Sequence, residues 1–290
     1  GDNRGWFKEN WQREKFTGLA PELASFQPVQ NNISFNHAGA TRGLHAEPWD
    51  KLVSVAQGKI FGAWCDLREG SESFGEVVTH EVGPETAVFV PRGVANGFQA
   101  LEETSYCYLV NEHWSAEARY AAVNLNIVDW PLEPTEISEK DKQHPALKDV
   151  SPMPARRILV TGANGQLGRA LKRLLADAEL CTHADFDITD PPERNWKQYS
   201  AIINCAAYND VNGAENDRAT AWAVNAEAPA RLARIAAENQ LTLVHVSSDY
   251  IFDGTNEVHT EEELPSPLSA YGASKAAGDT AAQTAPQHYV

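Results

Sequence analysis

The chain has little positive charge: 24 Lys and Arg stand against 40 Asp and Glu in 290 residues, a formal net charge of −16. That balance argues against nucleic acid and against an anionic membrane face as partners, because binding phosphate on that scale needs a net basic footprint. A small anion held by a few local Arg or Lys side chains stays possible. Long apolar runs are missing too. None reaches the roughly 18–20 residues of a membrane span, and no secretory leader is visible. Cysteine is scarce: Cys65, Cys107, Cys181 and Cys205 are scattered, with no Cys-x-x-Cys pair. They read as reduced core thiols of a cytoplasmic protein. No internal repeat is found. The chain opens at Gly1 without Met and stops on "APQHYV", so both ends read as cut.

The length, 290 residues, suggests two domains, and the text of the chain divides accordingly. Residues 1–149 carry short alternating runs such as "KLVSVAQGKIFGAWCDL", "EVVTHEV", "TAVFVP" and "TSYCYLV", separated by Gly, Pro and acidic or Asn turns. Such spacing predicts an all-β barrel or sandwich. Residues 150–155 form a spacer in which Pro152 and Pro154 forbid a continuous helix. From residue 156 to 290 the pattern becomes strand, helix, strand, helix, which predicts a parallel sheet covered by helices.

The second part opens on "RRILVTGANGQLGRALKRLL". Gly162, Gly165 and Gly168 sit between an apolar strand and a helix with an apolar stripe. Glycines there permit a tight turn, close approach of backbone to a pyrophosphate, and close helix–strand packing. Free N–H groups at the helix start then face the phosphates. "SSDYIFDG" puts Ser247 and Ser248 at the end of an apolar strand, where open parallel sheets place ligands. In "SAYGASKAAGD", Tyr271 and Lys275 are four apart and share a helix face. A phenol near pKa 10 is a poor acid at neutral pH. A nearby ammonium favours its ionised form, and a serine hydroxyl orients the carbonyl beside it.

These stretches, with "INCAAY" and "VNGAE", resemble the extended short-chain dehydrogenases and, among them, the dTDP-4-dehydrorhamnose reductases. The resemblance implies a Rossmann-type domain and a nicotinamide cofactor, NADPH or NADH. It implies cofactor contacts from Gly162, Gly165, Gln166, Leu167, Gly168, Ala206, Ala207, Tyr208 and Lys275. Asp185 or Asp187 stands about where an acidic residue takes a ribose hydroxyl. Tyr271 donates the proton, Lys275 holds the nicotinamide ribose and tunes the tyrosine, and Ser248 stands where the family usually has Thr. Asn209 and Asn212 depart from the family's Thr and Asp. Only 15 residues follow Lys275, so the last strands and much of the sugar pocket are expected to be missing, and with them reductase turnover.

In the first part, "TRGLHAEPWDKLV" gathers Arg42, His45 and Lys51. A barrel that holds a metal on inward side chains needs a His-x-His pair, a Glu and a later His. Here one His is present and Asn96 stands where another would, so no metal is expected. "DNRGWFKE", "VQNNIS", "RGLH", "VFVPRGVANGFQAL", "YCYLV" and "ISEKD" are similar, in order, to the dTDP-4-dehydrorhamnose 3,5-epimerases, whose fold is a cupin-like barrel. That resemblance implies His45 as base, Asp141 as its orienting carboxylate, Tyr108 as the acid on the opposite face and Lys51 at the enolate oxygen. Arg42 would hold diphosphate. Arg4, Phe7, Glu9, Gln30 and Asn32 match nucleotide-contacting positions, some serving a neighbouring subunit in a homodimer through this half. Asn96 replaces a family His near the sugar, and the stretch from His45 to Lys51 is shorter than usual.

The chemistry is coherent without the family. A 4-keto group acidifies the protons on carbons 3 and 5, and inversion needs a base, an acid on the other face and a cation at the enolate, with no cofactor. The expected whole is a two-domain fusion acting on a TDP-linked 4-keto-6-deoxy sugar, epimerase first and reductase second, in which tethering raises the local supply of the intermediate. Two rivals stand beside it: a reductase-like regulatory or binding protein, and a reductase whose epimerase half is degenerate and serves dimerisation.

Overall fold

The computed structural model describes residues 3–19, 23, 26–116, 118–260 and 262–290. Its chain divides into two compact units, 1–155 and 156–290.

The first unit has strands β1 (Gln30–Asn36), β2 (Thr41–Ala46), β3 (Lys51–Gln57), β4 (Ile60–Asp66), β5 (Val77–Val82), β6 (Ala87–Val90), β7 (Val94–Ala100), β8 (Thr104–Val110) and β9 (Ala121–Ala122). They form two antiparallel sheets, ordered β1-β8-β3-β6 and β5-β4-β7-β2-β9. The chain repeatedly changes sheets. At the β3–β4 crossing Gly58 has φ +83°, and a Cβ there would lie 2.3 Å from the Glu103 carbonyl oxygen, so only glycine fits. Val53, Val55, Ile60, Trp64, Phe98 and Tyr106 fill the space between the sheets. The opposite face of the second sheet, with Leu44, Ala63, Cys65 and Ala95, is covered by Val123, Val128 and Met153. β4 is therefore buried on both faces, which is why it lacks a clean polar–apolar alternation. The expected spacer at 150–155 is partly docked. Met153 is buried, its N–H donates to the Leu67 carbonyl, and its own carbonyl accepts from Glu69 N–H.

The second unit is a five-stranded parallel sheet. It contains β10 (Arg157–Thr161), β11 (Glu179–Cys181), β12 (Tyr199–Asn204), β13 (Thr242–His245) and β14 (His288–Tyr289), in the order β11-β10-β12-β13-β14. Leu159, Ile202, Leu232, Ala236 and Leu243 belong to its core. A long helical run, Arg218–Trp222 and Ala228–Asn239, is joined by a π-turn at Ala223–Glu227. The helix Ala270–Ala282 carries Tyr271 and Lys275. The helix after the glycine turn is shorter than its apolar stripe suggested: it spans Gln166–Leu171, and Leu174 is exposed.

Candidate active sites

In the first unit a cavity of about 680 Å³ is lined from both sheets. β1 supplies Asn32 and Ser34, β2 supplies Arg42 and His45, β3 supplies Lys51, β7 supplies Asn96, and β8 supplies Tyr106 and Tyr108. Trp114, Tyr120, Lys140, Asp141 and His144 close it. Along each strand alternate side chains turn inward, because the strand period is two.

His45 and Asp141 are 96 positions apart and meet with Nε2 and Oδ1 at 2.8 Å. Asp141 is placed by a short helix, Glu139–Lys142, capped by the Ser138 hydroxyl. Its other oxygen accepts from Gly43 N–H at 3.1 Å. Gly43 has φ +115° and its Cα lies where a Cβ would be 2.5 Å from Gly97 Cα. The β2–β7 register shifts there, and the freed amide turns to the carboxylate. Burial alone would raise the Asp141 carboxyl. The hydrogen bonds from His45 and the Gly43 amide overcome it and hold the pKa at about 2. Asp141 is then an acceptor, so His45 Nε2 donates, and Nδ1 is the ring nitrogen left to take a proton.

Lys51 is buried and ion-paired with Glu47 at 2.6 Å, and its Nζ lies 5.0 Å from the centre of the Tyr108 ring. Burial, then Glu47, raises the Tyr108 pKa, with Arg42 opposing. Tyr108 is accordingly a protonated donor at neutral pH. Arg42 Nε donates to Asn36 Oδ1 at 2.8 Å. Asn96 also serves the fold: it accepts from Trp64 Nε1 at 2.9 Å and donates to the Tyr106 hydroxyl at 3.1 Å.

The structure does not bring every expected residue here. Phe7 is exposed, Arg4 is exposed, and Glu9 is paired with Lys15 at 2.6 Å; none lines the cavity. Gln30 sits one step back and donates to Asn32 at 2.9 Å. Glu47, Tyr106 and His144 also line the cavity, and no sequence motif singles them out. Glu47 lies in the connection between β2 and β3, where i,i+4 spacing carries no pairing signal; His144 was findable only from its place three residues after Asp141. Tyr106 carried no signal beyond strand period.

In the second unit a cavity of about 840 Å³ is lined by Gly162, Asn164, Gly165, His183, Asp187, Ala206, Ala207 and Tyr208, among others. Gly162 has φ +68°, and a Cβ there would fall 2.7 Å from Ala206 N. Gly168 lets the following helix close on Ala163, where a Cβ would be 2.6 Å from its Cα. Gln166 and Leu167 open that helix and are not in the lining. Asp187 lines the cavity and Asp185 does not. Hydrogen bonds from the Thr189 hydroxyl and amide fix Asp187 and lower its pKa.

Tyr271 packs edge-on to Tyr250, with ring centres 5.6 Å apart. Gly272 allows this approach, since a Cβ would be 2.2 Å from the Tyr250 carbonyl oxygen. Lys275 is 2 % exposed and donates to the Val246 carbonyl at 2.5 Å. Burial lowers its pKa, and Asp279 opposes that. Burial raises Asp279, against the Ser247 hydroxyl and Lys275. Ser248 accepts from Tyr250 N–H at 3.3 Å. Beneath these lies a hydrogen-bonded chain whose members are scattered in the sequence. The Thr161 hydroxyl donates to Asn204 Oδ1, whose amide donates to His245 Nδ1, and His245 Nε2 lies 3.5 Å from Asp279 Oδ1. Burial, then Lys275, drives the His245 pKa down to about 3, so its ring is neutral.

Comparison with known proteins agrees with this division. A sequence profile described as dTDP-4-dehydrorhamnose 3,5-epimerase matches residues 1–149, and one described as RmlD substrate binding domain matches residues 156–290. The chain is 52% identical over 164 residues to a protein RmlC homolog of Streptococcus pyogenes, covering 53% of this chain and 83% of that protein. It is 41% identical over 138 residues to a dTDP-4-dehydrorhamnose reductase of Mycobacterium tuberculosis, covering 44% of this chain and 45% of that enzyme. The solved RmlC of Streptococcus suis in complex with dTDP-D-xylose is 49% identical, covers 53% of this chain and 84% of its own, and superposes with a TM-score of 0.49. No described helix is long and apolar enough to cross a membrane.

Proposed function

From the premise that this chain belongs, through residues 1–149, to the dTDP-4-dehydrorhamnose 3,5-epimerase family, we propose that its first unit epimerises a TDP-linked 4-keto-6-deoxy sugar at carbons 3 and 5. The observation that carries the reading is the His45–Asp141 pair, 2.8 Å apart, opening on the same cavity as Lys51 and Tyr108. His45 Nδ1 takes the proton made acidic by the 4-keto group, and Asp141 fixes the tautomer and balances the imidazolium. Lys51, held by Glu47, faces the enolate oxygen with positive charge. Tyr108 returns a proton from the other face. Arg42 anchors the diphosphate, and Gln30 and Asn32 lie along the nucleotide. Asn96 keeps the wall near the sugar in place. Arg4, Phe7 and Glu9 reach such a cavity from a second copy in a homodimer. Two facing antiparallel sheets around the cavity support a cupin-like barrel.

The second unit is read as the dinucleotide-binding part of a 4-keto reductase, of Rossmann type by its parallel sheet and glycine turn. The chain spans 45% of the length of the reductase it matches, so the whole enzyme's activity is part of the proposal. The residues present fit a nicotinamide cofactor, NADPH or NADH: Gly162 and Gly165 bare the backbone to the cavity, and Asp187, Ala206, Ala207 and Tyr208 line its wall. When bound, such a cofactor supplies hydride. Tyr271 holds the proton for the sugar oxygen, Lys275 keeps positive charge beside it, and Ser248 orients the carbonyl.

The test is deuterium exchange into the sugar at carbons 3 and 5 in D₂O. His45→Ala is expected to slow exchange by about 10²–10⁴-fold. Exchange at the wild-type rate would remove His45 from the mechanism.

A further inference from the structure

His144 is a buried side chain that the reaction leaves without a task. Its side chain is 7% exposed, and neither ring nitrogen closes a hydrogen bond of good geometry, although the ring faces the Gly43 backbone. Its ring stands edge-on to His45, with centres 5.0 Å apart, and its Nε2 lies 3.8 Å from Asp141 Oδ1. A polar ring held dry without a partner is costly unless something else completes it. Among the described residues, His45, Asp141 and His144 are the one trio of His, Cys, Asp or Glu whose donor atoms all lie within 4.8 Å of one another.

We propose that these three side chains form a binding site for a borderline divalent transition-metal ion, zinc above all, and that the ion switches the base off. Two imidazoles and one carboxylate oxygen are a donor set for zinc or cobalt rather than for magnesium or calcium. In a tetrahedral site with bonds of 2.0–2.1 Å the donor atoms are about 3.3 Å apart. The observed separations of 2.8 Å for His45–Asp141 and 3.8 Å for His144–Asp141 straddle that value, and the His45 and His144 donors lie within 4.8 Å of each other, so rotation of the side chains rather than movement of the backbone brings the three onto one ion. His45, Asp141 and His144 all line the cavity, and a water from it takes the proposed fourth position.

The consequence follows from the proton on His45. In the metal-free site Nε2–H donates to Asp141 and Nδ1 carries the lone pair that takes the sugar proton. An ion on Nε2 needs a lone pair there, so the Nε2 proton is given up and the neutral ring carries its single proton on Nδ1 instead, which makes Nδ1 a donor. Asp141 turns from hydrogen-bond acceptor to metal ligand. No oxidation state changes. The ion should stop proton abstraction while leaving the nucleotide's contacts in place, so turnover falls and TDP affinity does not. That arm rests on the epimerase reading; the binding site itself does not.

The experiment uses the full chain freed of metal with a chelator. Titration with Co²⁺ is expected to give the visible bands of a four-coordinate ion at one per chain, displaced by Zn²⁺ and absent from His144→Gln and His144→Phe, whose folding is checked by circular dichroism. Zn²⁺ should slow deuterium exchange at least about tenfold, reversibly with chelator, with TDP affinity by calorimetry within about twofold. In each His144 variant zinc should change that variant's own metal-free rate by less than about twofold. Unchanged cobalt bands in both variants, six-coordinate bands only, or no stoichiometric binding would overturn the site. Zinc that weakens TDP binding as much as it slows exchange would place the ion on the diphosphate and overturn the switch. If the chain shows no exchange at all, the epimerase reading fails and the cobalt titration still decides the metal site.

Discussion

The two units build their sites in opposite ways. In the first, the polar groups that converge on the cavity come from β2, β3, β8 and the Glu139–Lys142 helix, and the His45–Asp141 pair is 96 positions apart. In the second, Gly162, Ala206 and Ser248 sit in the turns that follow the parallel strands β10, β12 and β13, while Tyr271 and Lys275 share the helix Ala270–Ala282. An antiparallel unit makes its site by facing two sheets, so each wall depends on long-range register. A parallel sheet collects its site at one edge, because every strand delivers its carboxyl end to the same side. The first kind is sensitive to single side chains and the second to backbone approach.

Substitutions can break or sharpen that contrast. The largest effect is expected from Asp141→Asn, which keeps the shape of the side chain and removes its charge. Exchange should fall by about 10²-fold or more, as for a base left in the wrong tautomer, and dinucleotide binding by fluorescence should be unchanged. A loss below about threefold would mean that His45 needs no orienting partner. Next comes Lys51→Met. Its charge acts mainly when the enolate forms, so turnover should drop by about 10²–10³-fold with TDP affinity held within about twofold. Equal losses in both would make Lys51 a phosphate ligand.

The backbone side of the comparison is probed by Gly162→Ala. Positive φ and a Cβ 2.7 Å from Ala206 N should destabilise the second unit by about 3 kcal/mol, read as a lower melting transition and lost dinucleotide binding, while exchange in the first unit persists. A melting curve like the wild type's would show that the turn can relax. The smallest effect is in the acid limb. The Asp141 pKa is depressed, to about 2, from an unfolded value near 3.9. Its contribution, at most about 2.6 kcal/mol, is therefore present above about pH 4 and lost as pH falls through about 2. Melting temperatures below pH 4 should fall more steeply for the wild type than for Asp141→Asn.

The sequence by itself determined the secondary-structure rhythm of each half and the short motifs whose members are neighbours in the chain. Gly162 to Gly168 and the Tyr271–Lys275 pair are set by spacings that a turn or a helix converts directly into shared position. His45 and Asp141 were legible only through resemblance, since nothing local links residues 96 apart. Tertiary structure alone decided the rest. The shift at Gly43 turns an amide onto Asp141, Glu47 closes on Lys51, and Asn96, which lines the cavity, also ties Trp64 to Tyr106. It left Arg4, Phe7 and Glu9 away from their own chain's cavity, dried His144 against His45, and lined up Thr161, Asn204, His245 and Asp279 under Lys275. Each of these depends on strand register or on which strands become neighbours. A one-residue slip turns a side chain to the other face, and the order of strands in a sheet is set by packing over the whole unit rather than by any stretch of it.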